Sequence, residues 1–130
     1  MEMDVAFPGG MRVDVRYKGF TVWTDQPKEN GGEGSAPSPF DLFLASIASC
    51  AGYYALNFCM TRGLSTDGME INMRTEYDDV KRVTGKIILK VKVPEGFPGQ
   101  YNEALVRSVE SCTVKRHIQN PPEFEVIAVK

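Results

Sequence analysis

Alternating apolar and polar residues predict strands in two parts of the chain. Residues 11–17 alternate strictly, which is the period-2 pattern of a half-buried strand. The turn residues Lys18-Gly19 follow, and residues 20–24 then return as a second strand. Residues 69–77 and 82–93 alternate in the same way, so they predict an antiparallel pair with one face in water.

The longest apolar run, at residues 39–62, predicts a buried helix. Ser38 fits the N-cap, Pro39 the first helical position, and Asp41 can reach back to the cap. The twenty residues between Asp41 and Arg62 carry no charge, which is the length of a membrane span. Polar or small residues interrupt that run, and the amphipathic strands need an apolar surface to pack against. We therefore interpret the run as a central core helix, not a membrane span.

The second half of the chain predicts two shorter helices and a closing strand. An apolar stripe at helical spacing indicates a helix that ends near Cys112, and residues 113–119 predict a third helix. The stripe consists of Tyr101, Leu105, Val109 and Cys112. Residues 124–129 predict a final strand, and residues 26–38 a loop rich in glycine, proline and serine. These elements indicate an α+β fold.

Composition narrows the possible functions. The chain has 130 residues, which predicts a single domain over residues 1–130. A net charge of -2 and a pI near 5.4 argue against nucleic acid as a partner. The first ten residues are acidic where a signal peptide would be basic, so we expect a cytoplasmic protein.

Three cysteines are the main candidates for chemistry. Cys50 and Cys59 would share the long helix, but nine residues place them on opposite sides and about 13 Å apart along the axis. They can therefore neither pair nor share a metal ion. With a single histidine and no CxxC motif, we expect no metal site. Two interpretations of Cys50 and Cys112 stay open, a redox-active pair and two buried apolar side chains.

A reactive thiol needs a positive neighbour that stabilises its thiolate. Arg12 and Arg16, on the polar face of the first strand, are candidates, although both also fit ordinary surface charges. Asp41 fits either a helix cap or a carboxylate that orients such an arginine. His117 is most simply a polar surface residue, and Cys59 a structural one.

Four motifs then resemble one family. They are GGMR at 9–12, GGEGSAPSPFDLFLASIASC at 31–50, RGL at 62–64 and SCTV at 111–114. Together they are similar to the OsmC and organic hydroperoxide resistance superfamily, and most similar to its OsmC-like branch. The resemblance implies an α+β fold in which a curved antiparallel sheet packs on a long buried central helix. It also implies an intertwined homodimer.

The resemblance further implies a thiol-dependent peroxidase that reduces organic hydroperoxides in oxidative or osmotic stress defence. Cys50 would be the peroxidatic cysteine and Cys112 the resolving one, with Arg12 and Asp41 as supporting residues. An external dithiol would reduce the resulting disulfide, and neither a metal nor an organic cofactor would be needed. Neighbouring apolar and aromatic residues would form the substrate pocket: Phe40, Phe43, Ile47, Tyr53 and Tyr54.

The sequence departs from the family pattern at two positions. Peroxidase members carry a glutamate ten residues before the first cysteine, where this chain has Phe40, and the acid follows one position later as Asp41. Thr113 stands where a proline usually follows the second cysteine. The alternative hypothesis is therefore a non-catalytic module that binds a small molecule in an apolar pocket at the dimer interface.

Overall fold

Three antiparallel strands form a sheet at the start of the chain. In the computed structural model, which describes residues 1–130, they are β1 (Asp4–Gly9), β2 (Arg12–Tyr17) and β3 (Phe20–Thr24), in the order β1-β2-β3. The predictions for β2 and β3 are confirmed. The sequence analysis predicted no element over residues 4–9, where Pro8 and Gly9 are unfavourable in a strand. The structure places these residues where the pairing of β1 with β2 is irregular.

The chain separates into two compact units, Met1–Ala45 and Ser46–Lys130. The three-stranded sheet belongs to the first unit. The second contains a two-stranded sheet and the C-terminal helices. The antiparallel strands of one chain thus form two sheets, and the expectation of a single domain stays a prediction.

A buried carboxylate organises the glycine-rich loop of the first unit. Asp25, which is 2% exposed, accepts hydrogen bonds from the Ser35 hydroxyl at 2.7 Å and from the Ser35 backbone at 3.0 Å. It also accepts from the backbone N–H groups of Gln26 and Glu33. These bonds, above all the one from the Ser35 hydroxyl, lower the pKa of Asp25 from 3.8 to about 2. One ionised side chain therefore holds the loop together with backbone bonds, such as that from the Gly34 N–H to the Gln26 carbonyl at 3.0 Å.

This arrangement predicts a specific loss of stability in acid. The pKa of Asp25 is lower in the folded than in the unfolded chain. The ionised side chain therefore adds its full contribution to the free energy of unfolding only above the unfolded pKa of 3.8. That contribution falls as the pH drops toward 2. We expect urea unfolding to show a larger loss of stability between pH 6 and pH 3 for the wild type than for Asp25→Asn. Asp79→Asn, an exposed change, is the control and should behave as the wild type does. Equal losses in the wild type and Asp25→Asn would contradict this prediction.

The long helix, α1 (Pro39–Met60), begins as the sequence predicts. The Ser38 hydroxyl accepts from the Asp41 N–H at 3.2 Å, and the Asp41 carboxylate accepts from the Ser38 N–H at 3.0 Å. This reciprocal pair is a capping box. The chain leaves the helix through Gly63, whose φ of 65° suits glycine.

Burial along α1 is limited to one stripe within a single chain. The buried residues recur at helical spacing, and they are Ile47, Ala51, Ala55, Phe58 and Cys59. Other apolar residues of the helix are exposed, including Tyr53, Leu56 and Met60. By length and composition α1 is able to cross a membrane, a test that core helices of soluble proteins also pass. Within one chain only this stripe of α1 is buried, and the resemblance implies that a second copy covers the rest of the helix.

The second unit packs a hairpin and two helices around the buried stripe of α1. Its strands are β4 (Glu70–Asp78) and β5 (Val83–Lys92), and its helices are α2 (Asn102–Glu110) and α3 (Thr113–Gln119). Leu105 and Val109 of α2 join the core of α1, and the apolar faces of both strands pack against it. These four elements confirm the predictions to within a few residues at their ends.

The predicted strand at residues 124–129 is wrong for the single chain. Residues 121–130 form neither helix nor strand. Phe124, Val126, Ile127 and Val129 are all exposed. The segment has the alternation of a strand, but no strand of its own chain pairs with it.

Candidate thiol site

All three cysteines are free thiols. Cys50 lies half-buried on α1 of the second unit, whereas Cys112 is fully buried immediately before α3. Cys112 is the N-cap of α3, and its Sγ accepts a hydrogen bond from the Lys115 N–H at 3.5 Å. The backbone of Cys112 is extended, so the chain turns into the helix at this residue.

A hydrogen bond ties the region of Cys50 to that of Cys112. The hydroxyls of Tyr54 and Thr113 are 2.8 Å apart. Tyr54 follows Cys50 by one helical turn and Thr113 directly follows Cys112, so the bond joins the two neighbourhoods within the second unit. The Ser108 hydroxyl adds a bond from α2 to the Tyr54 carbonyl at 3.4 Å. Sequence reasoning named Tyr54 only as a pocket residue and missed this link.

Two basic residues of α3 also contact Thr113. Arg116 donates from Nη2 to the Thr113 hydroxyl at 3.2 Å, and Nδ1 of His117 lies 2.7 Å from the Thr113 carbonyl oxygen. His117 thus folds back on its own helix and is exposed, as expected of a surface polar residue. Arg116 therefore places a positive charge next to the hydrogen bond between Tyr54 and Thr113. The sequence analysis assigned no role to Arg116.

Cys59 lies in the core, apart from this arrangement. Burial raises the pKa of the Cys59 thiol, and the nearby Arg62 partly offsets that effect. We expect iodoacetamide to alkylate Cys50 first and Cys59 only after the protein is unfolded in urea. Peptide mapping after timed alkylation measures both rates. Alkylation of Cys59 in the native protein at the rate of Cys50 would contradict this prediction.

Arg12 and Asp41 have different partners within the first unit. Nη2 of Arg12 is 3.6 Å from Oδ2 of the buried Asp14, and the guanidinium lies 5.4 Å from the Trp23 ring centre. The Asp41 carboxylate instead caps α1. Nε of Arg12 and Oδ1 of Asp14 are buried and lack a hydrogen-bond partner. The carboxylate that holds Arg12 within the chain is thus Asp14, on the same face of the same strand.

The residues expected to form the substrate pocket are divided between the two units. Phe40 and Phe43 stack on each other in the first unit, with ring centres 5.5 Å apart. In the second unit Tyr53 is 61% exposed and meets Tyr54 edge to face. Ile47 lines a cavity of that unit, which the other four do not.

This cavity has a volume of about 490 Å³ and lies among α1, β5, α2 and α3. Its apolar lining includes Ile47, Ile87, Leu89, Val91, Val106 and Ile118. Lys86, Glu110 and Lys115 add charged groups. The sequence predicted that β5 has an apolar face. It did not predict that part of this face lines a cavity. No group of three or more histidine, cysteine or acidic side chains is arranged to hold a metal ion.

Comparison with known proteins gives the family. The profile of the family described as OsmC-like protein matches residues 32–127. The chain belongs to this family. The resemblance seen in the sequence is thereby confirmed. No curated protein is similar enough in sequence to match the chain.

Solved structures show that this OsmC-like protein has the fold of its family. An osmotic stress induced and detoxification response protein from Psychrobacter arcticus has a TM-score of 0.74 and 19% identity, covering 88% of this chain and 85% of that one. An organic hydroperoxide resistance protein OsmC from Legionella pneumophila has a TM-score of 0.61 and 22% identity, with coverages of 92% and 90%. An OsmC-like protein from Mycoplasma pneumoniae has a TM-score of 0.67 and 13% identity, with coverages of 93% and 89%.

Proposed function

We propose that this OsmC-like protein is a thiol-dependent peroxidase that reduces organic hydroperoxides in stress defence. The observation that carries the proposal is the Tyr54–Thr113 hydrogen bond, because it ties the helical turn after Cys50 to the residue after Cys112. A partly accessible thiol, Cys50, and a buried one, Cys112, suit an attacking and a resolving cysteine. Membership of a family that includes an organic hydroperoxide resistance protein supports the same activity.

The proposed reaction has two chemical steps. The Cys50 thiolate attacks the distal oxygen of the hydroperoxide, the O–O bond breaks, and the alkoxide leaves and takes up a proton as the alcohol. Cys50 is oxidised to a sulfenic acid. The Cys112 thiol then condenses with it, so that a disulfide forms and water leaves. An external dithiol reduces the disulfide by exchange and restores both thiols.

The supporting residues follow the family resemblance. Arg12 would stabilise the Cys50 thiolate and the leaving oxygen through its fixed positive charge. The contact with Asp14 gives the guanidinium a defined position. The role that the resemblance gives to Asp41 stays a prediction, and its capping box already accounts for its position.

The cavity beside Ile47 supports an apolar substrate. Its volume falls in the range of small-molecule sites, and its walls are mostly aliphatic. Apolar walls favour a hydroperoxide that carries an organic group over hydrogen peroxide, since the organic group then leaves water. Of the predicted pocket residues, Ile47 lines this cavity, and Cys50 follows it on α1 by about one helical turn. The pocket roles of the other four residues stay predictions.

The exposed apolar surface supports a homodimer. Tyr53, Leu56 and Met60 recur at helical spacing on α1, and the alternating apolar residues near the C-terminus are exposed. Apolar surface of this extent is typical of an interface. We expect a second copy of the chain to cover the exposed side of α1 and the apolar residues near the C-terminus. We place the dimer in the cytoplasm, where free thiols stay reduced.

Peroxide consumption tests the proposed function. Purified protein with dithiothreitol should consume cumene hydroperoxide catalytically, and hydrogen peroxide more slowly. A ferrous xylenol orange assay follows the remaining peroxide. Absence of any consumption beyond that of dithiothreitol alone would overturn the proposal.

The same cavity favours a second candidate, a non-catalytic binding module. Its volume and aliphatic walls would suit an apolar small molecule without any thiol chemistry. Cumyl alcohol, which has the shape of the substrate but no peroxide bond, is a suitable probe. A higher melting temperature with cumyl alcohol, together with thiols that stay reduced in peroxide, would favour binding over catalysis.

A further inference from the structure

The hydrogen bond between Tyr54 and Thr113 connects parts of the chain that are 59 residues apart. Other bonds hold its two ends in place. The Tyr54 carbonyl accepts from the Ser108 hydroxyl, and the Thr113 hydroxyl accepts from Arg116. A hydroxyl group has one donor and two acceptor positions, so Thr113 can make both of its bonds at once. The link is thus part of a network and not an isolated surface contact.

The positions of the two cysteines relative to this link give it a chemical consequence. Cys50 and Tyr54 are four residues apart on α1, which places them on one face about 6 Å apart along the axis. Cys112 adjoins Thr113 and is fully buried. A disulfide forms only when the two Cα atoms come within about 7 Å. The distance that Cys112 must cover therefore depends on where the start of α3 is held against α1.

We propose that Tyr54 and Thr113 are positioning residues for closure of the Cys50–Cys112 disulfide. In that step the Cys112 sulfur attacks the sulfenic sulfur of Cys50. The S–S bond forms, the S–O bond breaks, and the hydroxide leaves as water with the proton of the Cys112 thiol. The hydrogen bond keeps the start of α3 within reach of Cys50 and has no part in the attack on peroxide. This inference rests on the proposed peroxidase function and assigns roles in its second step.

The test separates the two chemical steps in the full-length protein. Reduced protein receives one equivalent of cumene hydroperoxide and is quenched at timed intervals with dimedone, which traps the sulfenic acid. Mass spectrometry then measures the dimedone adduct on Cys50 and the disulfide. Tyr54→Phe and Thr113→Val each remove one hydroxyl and keep the shape of the side chain.

We expect Tyr54→Phe to close the disulfide about fivefold more slowly, the effect of losing one neutral hydrogen bond. Thr113→Val should slow closure at least as much, because it also loses the bond from Arg116. The sulfenic acid should accumulate in both variants, and in Thr113→Val, which changes no predicted pocket residue, it should form at the wild-type rate. Thr113→Ser keeps the hydroxyl and should restore closure. Tyr77→Phe is the matched control, since it removes a hydroxyl from an exposed tyrosine on β4.

Each outcome has a distinct meaning. Unchanged closure in both Tyr54→Phe and Thr113→Val, with normal sulfenic acid formation, would overturn this inference and leave the peroxidase intact. Slower formation of the sulfenic acid in Thr113→Val would also overturn it, because a general distortion of the site would then explain the result. If the wild type forms no sulfenic acid, the proposed function fails, and this inference fails with it. Should Tyr54→Phe not fold, Thr113→Val, at an exposed position, decides the result alone.

Discussion

Replacing Cys50 with serine should lower the turnover of cumene hydroperoxide by at least about 10³-fold, as expected when a nucleophile is removed. A serine hydroxyl is a weak nucleophile at neutral pH, whereas a thiolate attacks the peroxide oxygen directly. Cys112→Ser should leave the first step intact and accumulate the sulfenic acid of Cys50. The rate of peroxide consumption and dimedone labelling measure the two effects.

Cys59→Ala is the matched control for this prediction. It removes a thiol from the same helix, but one whose pKa burial raises and which lies in the core. Its turnover should equal that of the wild type. Wild-type turnover in Cys50→Ser would show that the reaction does not use this thiol.

Leu105→Ala should lower the free energy of unfolding by about 3 kcal/mol, within the range measured for buried leucines. Leu105 is 1% exposed and packs with Ala51, Ala55 and Phe58 of α1. Truncation removes apolar contacts and leaves a cavity that the helices fill only in part. Urea unfolding at one fixed protein concentration measures the change, since a dimer makes stability depend on concentration.

Val80→Ala is the control for the core prediction. Val80 lies in the turn between β4 and β5 and is 93% exposed. Its truncation should change the free energy of unfolding by less than about 0.5 kcal/mol. A loss in Leu105→Ala no larger than that in Val80→Ala would show that the second unit does not depend on this packing.

Local patterns in the sequence predicted most of the helices and strands. The capping residues Ser38 and Asp41 fixed the start of α1, because both capping bonds form between residues three apart. The period-2 alternation predicted β2, β4 and β5 for the same local reason, and the turn at Lys18-Gly19 indicated β3. By contrast, β1 contains Pro8 and Gly9, so its pairing depends on the neighbouring strand and not on its own pattern.

Features that depend on distant residues could not be predicted in this way. Residues 124–129 have the alternation of a strand, but a strand also needs a partner, and no strand of this chain pairs with them. Similarly, the apolar residues of α1 do not tell which of its faces the same chain covers. Both differences concern surface that we expect a second copy of the chain to bury.

In the candidate site, too, contacts set by neighbouring residues could be predicted, whereas contacts between distant residues could not. The spacing of Cys50 and Cys59 correctly separated a core thiol from the candidate attacking one, because helical geometry is local. The contact between Arg12 and Asp14 could also have been predicted from the sequence, since residues two apart share a face of a strand. The hydrogen bond between Tyr54 and Thr113 could not be predicted from the sequence, because it depends on how α3 packs against α1.

The most direct test of the account is the location of the disulfide after mild oxidation. Reduced protein is treated with one equivalent of cumene hydroperoxide, alkylated, and digested with trypsin and chymotrypsin, which cuts after Tyr53 and Tyr54 and so separates Cys50 from Cys59. Mass spectrometry should then find Cys50 joined to Cys112 and Cys59 free. Unmodified Cys50 and Cys112, or a disulfide that includes Cys59, would contradict the account.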